Sequence, residues 1–272
     1  MSAPVIRIFS DLHYRDATSR LQTLAAFAPL LRGADEIIFN GDTVDTQIPP
    51  HLSHLDEVRA FFAHAGPRVT FLSGNHDPDI STLSETSLCD DRVWITHGDV
   101  FFDEIAPWSR YRPEFARRLA ALTANIPPAE LALIETRLRL NRLVCRDLPE
   151  NTDLLHHTFA SRLIRLFRAL FPPEQALTIL RSWRDTPRLV ATLTRAQRPR
   201  ARVVILGHTH YPGVWRVPGS YPLTVINTGT WSRPFAPRFV ELSGNRIRVI
   251  RINAAGGAFH PGRVVAEFPL AD

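Results

Sequence analysis

The chain has 272 residues, of which 44% are hydrophobic and 22% charged, with a formal net charge of +5 and a pI near 10.0. That is enough chain for one large core, or one core with an insertion. It excludes a disordered or disulfide-scaffold protein: the composition is ordinary for a globular domain, and two cysteines, Cys89 and Cys145, make no framework. No apolar stretch approaches the ~18 residues needed to span a bilayer. The start, Met1 to Val5, lacks a basic region followed by an apolar one, so a cytoplasmic protein with free thiols is expected. All 32 basic residues are arginine. A genomic composition bias accounts for this, as would an anionic substrate or surface, since guanidinium forks suit phosphate.

In chain order, Val5–Phe9 reads as a short buried strand ending in Ser10-Asp11-Leu12-His13. Leu21, Leu24, Leu30 and Leu31 follow near-helical spacing between about Ala17 and Leu31, with Gly33 as the stop. Glu36–Phe39 is a second strand, ending in Asn40-Gly41-Asp42-Thr43-Val44-Asp45. Leu52, Leu55, Val58, Phe61 and Phe62 mark an amphipathic helix that Gly66-Pro67 breaks. Val69–Leu72 leads into Ser73-Gly74-Asn75-His76-Asp77, and Arg92–Ile95 into Thr96-His97-Gly98-Asp99.

From about Pro107 to Arg200 the chain is rich in Arg, Leu and Ala and reads as several helices, separated by Pro127-Pro128, Pro149 and Pro172-Pro173. Strand character returns at Arg202–Leu206, which ends in Gly207-His208-Thr209-His210, and at Leu223–Ile226, which ends in Asn227. Phe239–Leu242 and Arg246–Ile252 flank Ser243-Gly244-Asn245 as a hairpin. The early alternation predicts an α/β core, and the closer spacing of the later strands predicts a partly antiparallel second half, with two stacked sheets flanked by helices. Six strands end in Asp, His or Asn clusters, at the sheet edge where open α/β sheets bind ligands.

These clusters have the composition of a hydrolytic metal site. A divalent ion that activates water needs oxygen and nitrogen ligands and open positions. Asp11 and His13 are two apart, and His208 and His210 repeat the spacing, so each pair reaches one pocket from a strand end. Asp42 has two oxygens with which to bridge, Asn75 offers a neutral carbonyl and His97 an imidazole. Together they supply ligands for two ions about 3.5–4 Å apart. His76 is left over and, with Asp77, is the candidate for moving a proton to a leaving group. Asp45 and Asp99 are candidates for orienting histidines. Taken singly, Asp11-x-His13 or Asp42 with Asp45 reads as ordinary turn chemistry; only the set, at six strand ends, carries the argument. His51, His54, His64, His156, His157 and His260 lack ligand spacing.

In order, Asp11-x-His13, Gly41-Asp42-x-x-Asp45, Gly74-Asn75-His76-Asp77, His97-Gly98-Asp99 and Gly207-His208-x-His210 resemble the motif series of the calcineurin-like metallophosphoesterases. The resemblance implies a four-layer α/β/β/α sandwich and a two-metal site, often with manganese, iron or zinc. It puts Asp11, His13 and His210 on one ion, Asn75, His97 and His208 on the other, Asp42 between them, and His76 on the leaving group. It divides the chain into a core, 1–106 and 201–272, and a helical insertion, 107–200. Within the family that insertion resembles the lid of bacterial UDP-2,3-diacylglucosamine hydrolases, which cleave a pyrophosphate in lipid A synthesis. Those enzymes typically carry arginine where this chain has His76.

The expected function is therefore hydrolysis of a phosphoester or pyrophosphate by a metal-activated hydroxide, extending to a lipid-linked nucleotide such as UDP-2,3-diacylglucosamine. On that reading the Arg162–Phe171 stretch, with Leu163, Leu166, Phe167 and Leu170 at helical spacing, holds acyl chains and meets an anionic membrane, placing the protein at the periphery of the inner membrane. The alternatives are a nuclease or cyclic-nucleotide phosphodiesterase of the same fold, and a non-catalytic protein-binding scaffold. Against nucleic acid, arginine is not interleaved along the sequence with aromatics, as a stacking platform for single strands would require. Against the scaffold, no ligand position is missing.

Overall fold

Alternating side chains on short strands bury apolar groups on both faces of two sheets, and this sets the layers. The computed structural model describes residues 3–48, 51–146 and 173–270. Its strands are β1 (Val5–Phe9), β2 (Glu36–Asn40), β3 (Arg68–Leu72), β4 (Glu85–Leu88), β5 (Val93–Thr96), β6 (Val203–Leu206), β7 (Gly213–Val217), β8 (Leu223–Asn227), β9 (Arg238–Ser243), β10 (Arg246–Ala255) and β11 (Ala258–Pro269). One sheet has the order β11-β10-β9-β1-β2-β3 and the other β4-β5-β6-β8-β7. In each, three neighbouring strands run parallel, β1-β2-β3 and β5-β6-β8. Their carboxyl ends deliver the polar clusters. The other strands are antiparallel.

Ile8, Ile38, Leu72, Val93, Ile95, Val203, Ile205 and Ile226 face one another between the sheets. Each such side chain, fully buried, contributes roughly 1.5–3 kcal/mol. Their sequence neighbours point outward: Phe9, Ile37 and Phe39 pack under α1 (His51–Ala63) and a 3-10 helix (Leu24–Leu30). Trp94, Val204, Leu206 and Val225 pack under helices of the second outer layer. The result is the α/β/β/α sandwich.

That second outer layer comes from the segment set off in the sequence as an insertion. Its helices are α2 (Arg112–Thr123), α3 (Pro128–Leu131), α4 (Ile134–Cys145) and α5 (Pro173–Gln197). Ile134 and Leu138 of α4, and Val190 and Ala191 of α5, are buried against Trp94, Val204 and Val225. Helices α4 and α5 of this segment therefore share a core with the second sheet. The Arg162–Phe171 stretch lies outside the described residues.

Three strands had no clear sequence signal. β4 and β7 are short edge strands, and β11 contains Pro261 and Gly262. An edge strand tolerates proline because one side of its ladder faces no partner, and the β10–β11 register shifts near Ile250 and Ile252. The helix expected over 17–31 is only the 3-10 turn at Leu24–Leu30, where Pro29 supplies no N–H for an α-helix. The leucine spacing still reports burial: Leu21, Leu24 and Leu30 are all in the core. Cys89 and Cys145 are free. Among the described residues no helix is long and apolar enough to cross a membrane.

If α4 belongs to the core, Ile134→Ala should lower unfolding free energy in urea by about 2–5 kcal/mol. A loss below about 0.5 kcal/mol, typical of surface changes, would show that α4 is not part of the packed layer.

Candidate metal centre

Five of the donors are held at strand ends by an uncommon backbone conformation. Asp11 (φ 52°), His13 (φ 46°), Asp42 (φ 50°), His208 (φ 64°) and His210 (φ 63°) all have left-handed backbone. Non-glycine residues seldom adopt it, and such strain persists only where the surroundings over-determine it. Here they do. The N–H groups of Asp11 and His13 donate to Gly41 O (3.1 Å) and Asp42 O (2.9 Å), lacing the loop after β1 to the loop after β2. Between Asp11 and His13, Leu12 turns the other way into the core. Glycine is required where these loops approach closely, as at Gly41 and Gly207. A Cβ on Gly41 would stand 2.5 Å from His97 Nδ1, and one on Gly207 would run into the Asp11 carboxylate and Ser10 Oγ.

The structure brings Asp11, His13, Asp42 and His210 into one donor group, and Asp42, His97 and His208 into another. Asn75 joins the second, with Oδ1 3.2 Å from His97 Nε2. Asp42 is common to both. Its Oδ1 accepts the His76 N–H at 2.8 Å. Its Oδ2 lies 3.2 Å from His97 Nε2 and 3.8 Å from His13 Nε2. His210 Nε2 is 3.2 Å from Asp11 Oδ1 and 3.0 Å from His13 Nε2.

Outer partners choose which nitrogen each ring offers. Asn40 O accepts from His97 Nδ1–H at 3.0 Å, leaving Nε2 for the site. Ile105 O accepts from His208 Nε2–H at 2.9 Å, leaving Nδ1. Asp11 is steadied by the His208 N–H (3.0 Å) and by Ser10 Oγ, which is 2.5 Å from Thr228 Oγ1. The donor set of carboxylate, amide oxygen and imidazole fits a divalent cation. Two imidazole nitrogens facing each other at 3.0 Å beside a carboxylate is what a shared cation accommodates.

The electrostatics separate the histidines. Burial and the neighbouring His76 charge drop His13 to about 3. Burial and His97 bring His208 down to about 4. Both rings are neutral at physiological pH, as ligation requires. Burial also opposes charge on His97, but Asp42 beside it raises that ring well above its ordinary value. Burial works against the Asp42 anion too, and the His97 and His76 charges hold it well below the carboxylate range.

His76 belongs to a third group, with His13 and Asp45, and so shares His13 with the first. Its Nδ1 is 3.0 Å from Asp45 Oδ2, and its ring meets the His13 ring edge-on at 4.9 Å. Burial disfavours its proton, but Asp45 and then Asp42 outweigh this and lift it to about 10.

Asp77 differs from its sequence expectation. It is fully buried, and its carboxylate accepts N–H groups from Asp42 (2.9 Å), Thr43 (2.7 Å), Val44 (3.3 Å) and Gly74 (2.8 Å). Burial and the Asp42 charge push it up to about 7, against the pull of the Gly74 and Thr43 N–H groups. With its lone pairs taken, it clamps the loops after β2 and β3 together and has no face for substrate. Asp99 likewise accepts from Asn141 Nδ2 of α4 at 2.8 Å rather than holding a histidine. The Asn40 and Ile105 carbonyls escaped sequence reasoning because main-chain atoms leave no side-chain signature. Ser10 sat within a motif but without ligand spacing.

The sequence matches the family described as calcineurin-like phosphoesterase over residues 4–212. No curated protein sequence matches it. Among solved structures it is similar to a dimetal phosphatase from Danio rerio, at 14% identity and TM-score 0.45, covering 99% of both chains. It is also similar to Vps29 from Chaetomium thermophilum, at 9% identity and TM-score 0.49, covering 100% of both. A cold-active protein-tyrosine phosphatase from a Shewanella species is similar at 14% identity and TM-score 0.35, covering 96% of this chain and 81% of that one.

The clamp at Asp77 is testable. Asp77→Asn turns an NH2 group toward backbone donors and should cost roughly 1–3 kcal/mol of stability, read by denaturant unfolding. Unchanged stability with lost turnover would return Asp77 to the chemistry.

Proposed function

The chain belongs to the calcineurin-like phosphoesterase family, and we propose that it is a metal-dependent hydrolase of a phosphoester or pyrophosphate bond. The observation that carries this is the single carboxylate, Asp42, standing between two donor groups with a proton-bearing imidazole alongside. On this reading two divalent ions bind. Asp11, His13 and His210 would hold one and Asn75, His97 and His208 the other, with Asp42 a member of both groups. Mixed oxygen and imidazole donors without thiolate suit manganese, iron or zinc. Bound, such ions lower the pKa of water and polarise a phosphoryl oxygen.

The remaining steps belong to the side chains. Asp42, fixed by the His76 N–H, keeps the two donor groups in register. Asp45 accepts from His76 Nδ1–H, so the second ring proton, on Nε2, is the one available to a departing oxygen. That ring is 27% exposed, enough to touch a substrate while keeping its partner dry. His76 then acts as general acid, donating to the oxygen that leaves phosphorus. The charged His76–Asp45 pair also stabilises the fold. Its contribution is complete below the ordinary histidine value of 6.5 and is lost as pH rises through about 10.

The test is hydrolysis of p-nitrophenyl phosphate and bis-p-nitrophenyl phosphate with added Mn2+. His76→Ala should lower kcat by roughly 10²–10⁴ at unchanged metal content; loss of bound metal would make His76 a ligand instead. Asp45→Asn should move the alkaline fall of kcat to lower pH, because it removes the carboxylate that keeps His76 protonated. An unmoved alkaline limb would show that another group carries the proton.

A further inference from the structure

Within about one turn of α4 lie contacts that lead to Asn75, His97 and His208. Asn141 is buried, and its side-chain N–H donates to Asp99 Oδ2 at 2.8 Å. Asp99 lies two residues beyond His97. Arg142 donates from Nε to Pro78 O at 2.7 Å and from a terminal nitrogen to Thr82 O at 3.2 Å. Pro78 directly follows Asn75-His76-Asp77. Just past the helix, Arg146 Nε–H donates to Asp79 at 2.7 Å, so the same loop is held twice.

The third contact runs through Ile105. Val144 and Cys145 of α4 pack with it in one buried cluster, together with Phe115 of α2. Ile105 is fully buried and has φ 61°, an outlier for a β-branched residue. Such a conformation persists only where packing over-determines it, and here that packing comes from α2 and α4. In this conformation Ile105 O accepts from His208 Nε2–H at 2.9 Å.

Asn75, His97 and His208 are the donors that join Asp42 in the second group. Among the described residues, α4 makes no hydrogen bond or ion pair with Asp11, His13 or His210. The loop that carries Asp11 and His13 is tied instead to Gly41, Asp42 and Trp231 through the main chain.

We propose that α4 positions the second donor group alone. Asn141, Arg142 and the Val144–Cys145 pair set where His97, Asn75 and His208 stand, and thereby set the affinity of that group for a divalent ion. The proposal rests on the metal-dependent reading above. Each of these residues acts through another, so they are positioning residues and not ligands. Loss of the Asn141 amide leaves a buried carboxylate oxygen without its donor, and the loop after His97 finds another partner only by moving. Loss of the Arg142 guanidinium frees the carbonyl that ends the Asn75 motif. By reciprocity, an ion in the second group steadies α4.

The test is Mn(II) binding to the full chain, counted by electron paramagnetic resonance of the unbound ion. Wild type should bind two ions, and Asn141→Ala or Arg142→Ala should weaken one of them by about tenfold, the lower end of the range for groups that orient ligands. Two backgrounds identify which. The ion that remains in His210→Ala should weaken, and the ion that remains in His97→Ala should not. Ile247→Ala, a core truncation between the sheets, controls for lost stability and should move neither. Hydrogen exchange needs no change in α4: Mn(II) should slow its amides in His210→Ala and leave them unchanged in His97→Ala. Affinities unmoved by the α4 variants, weakened equally in both backgrounds, or weakened as much by Ile247→Ala, overturn the proposal and leave the metal reading in place. A wild type that binds no ion overturns both. The expected shifts in a protein that hydrolyses no bis-p-nitrophenyl phosphate leave the role of α4 standing and remove the phosphoesterase reading.

Discussion

The site depends on keeping one carboxylate, Asp42, ionised in a place with almost no water. The side chain is buried, and an unpaired carboxylate there would protonate or unfold its surroundings. Instead one oxygen takes the His76 N–H and the other faces His97 and His13. Asp42 N donates to Asp77, and Asp42 O accepts from His13 N–H. The same residue thereby ties the loops after β1, β2 and β3, and reaches β5 through His97. Any change that moves it moves four strand ends together.

Around this anion, histidines of the same intrinsic basicity are given different work. His13 and His208 lose their protons to burial and to neighbouring positive rings, so they present lone pairs. His76 keeps its proton because Asp45 outweighs burial, so it can give one away. This division is made by what each ring faces, and the backbone fixes what it faces. Five donor-bearing residues sit at positive φ, each at a cost of roughly 1–3 kcal/mol. Twin sheets, buried on both faces, supply the stability that offsets it. The outer layer of α4 and α5 adds to this while pinning the loop between His208 and His210 through Trp183.

Much of this was legible in the sequence, for a physical reason. Strands such as Glu36–Asn40, buried along their whole length, appear as unbroken apolar runs, and the polar cluster after each run marks the edge where ligands bind. Asp11, His13, Asp42, Asn75, His97, His208 and His210 could be named as candidates because six strand ends all carrying Asp, His or Asn clusters are rare by chance, although only Asp11 with His13 and His208 with His210 have the i, i+2 spacing. What stayed hidden is what side-chain identity does not encode. Asp77 looks like a catalytic acid in Asn75-His76-Asp77, yet its lone pairs are spent on four backbone N–H groups. The Asn40 and Ile105 carbonyls that orient His97 and His208 belong to the main chain. β4 and β7 are half-buried edge strands without an unbroken apolar run, and β11 is masked by Pro261 and Gly262. The Leu24–Leu30 segment showed its burial correctly and its helix type wrongly, because Pro29 decides the hydrogen bonding and leucine spacing does not. The contacts of Asn141 with Asp99 and of Arg142 with Pro78 join residues far apart in sequence.

Whether Asp42 is shared by two ions, as proposed, is read by electron paramagnetic resonance of the Mn(II)-loaded protein. Wild type should give the multiline spectrum of an exchange-coupled pair, replaced in Asp42→Ala by signals of isolated ions. A wild-type protein that shows only isolated Mn(II) at every loading, while remaining folded and fully active, would contradict it.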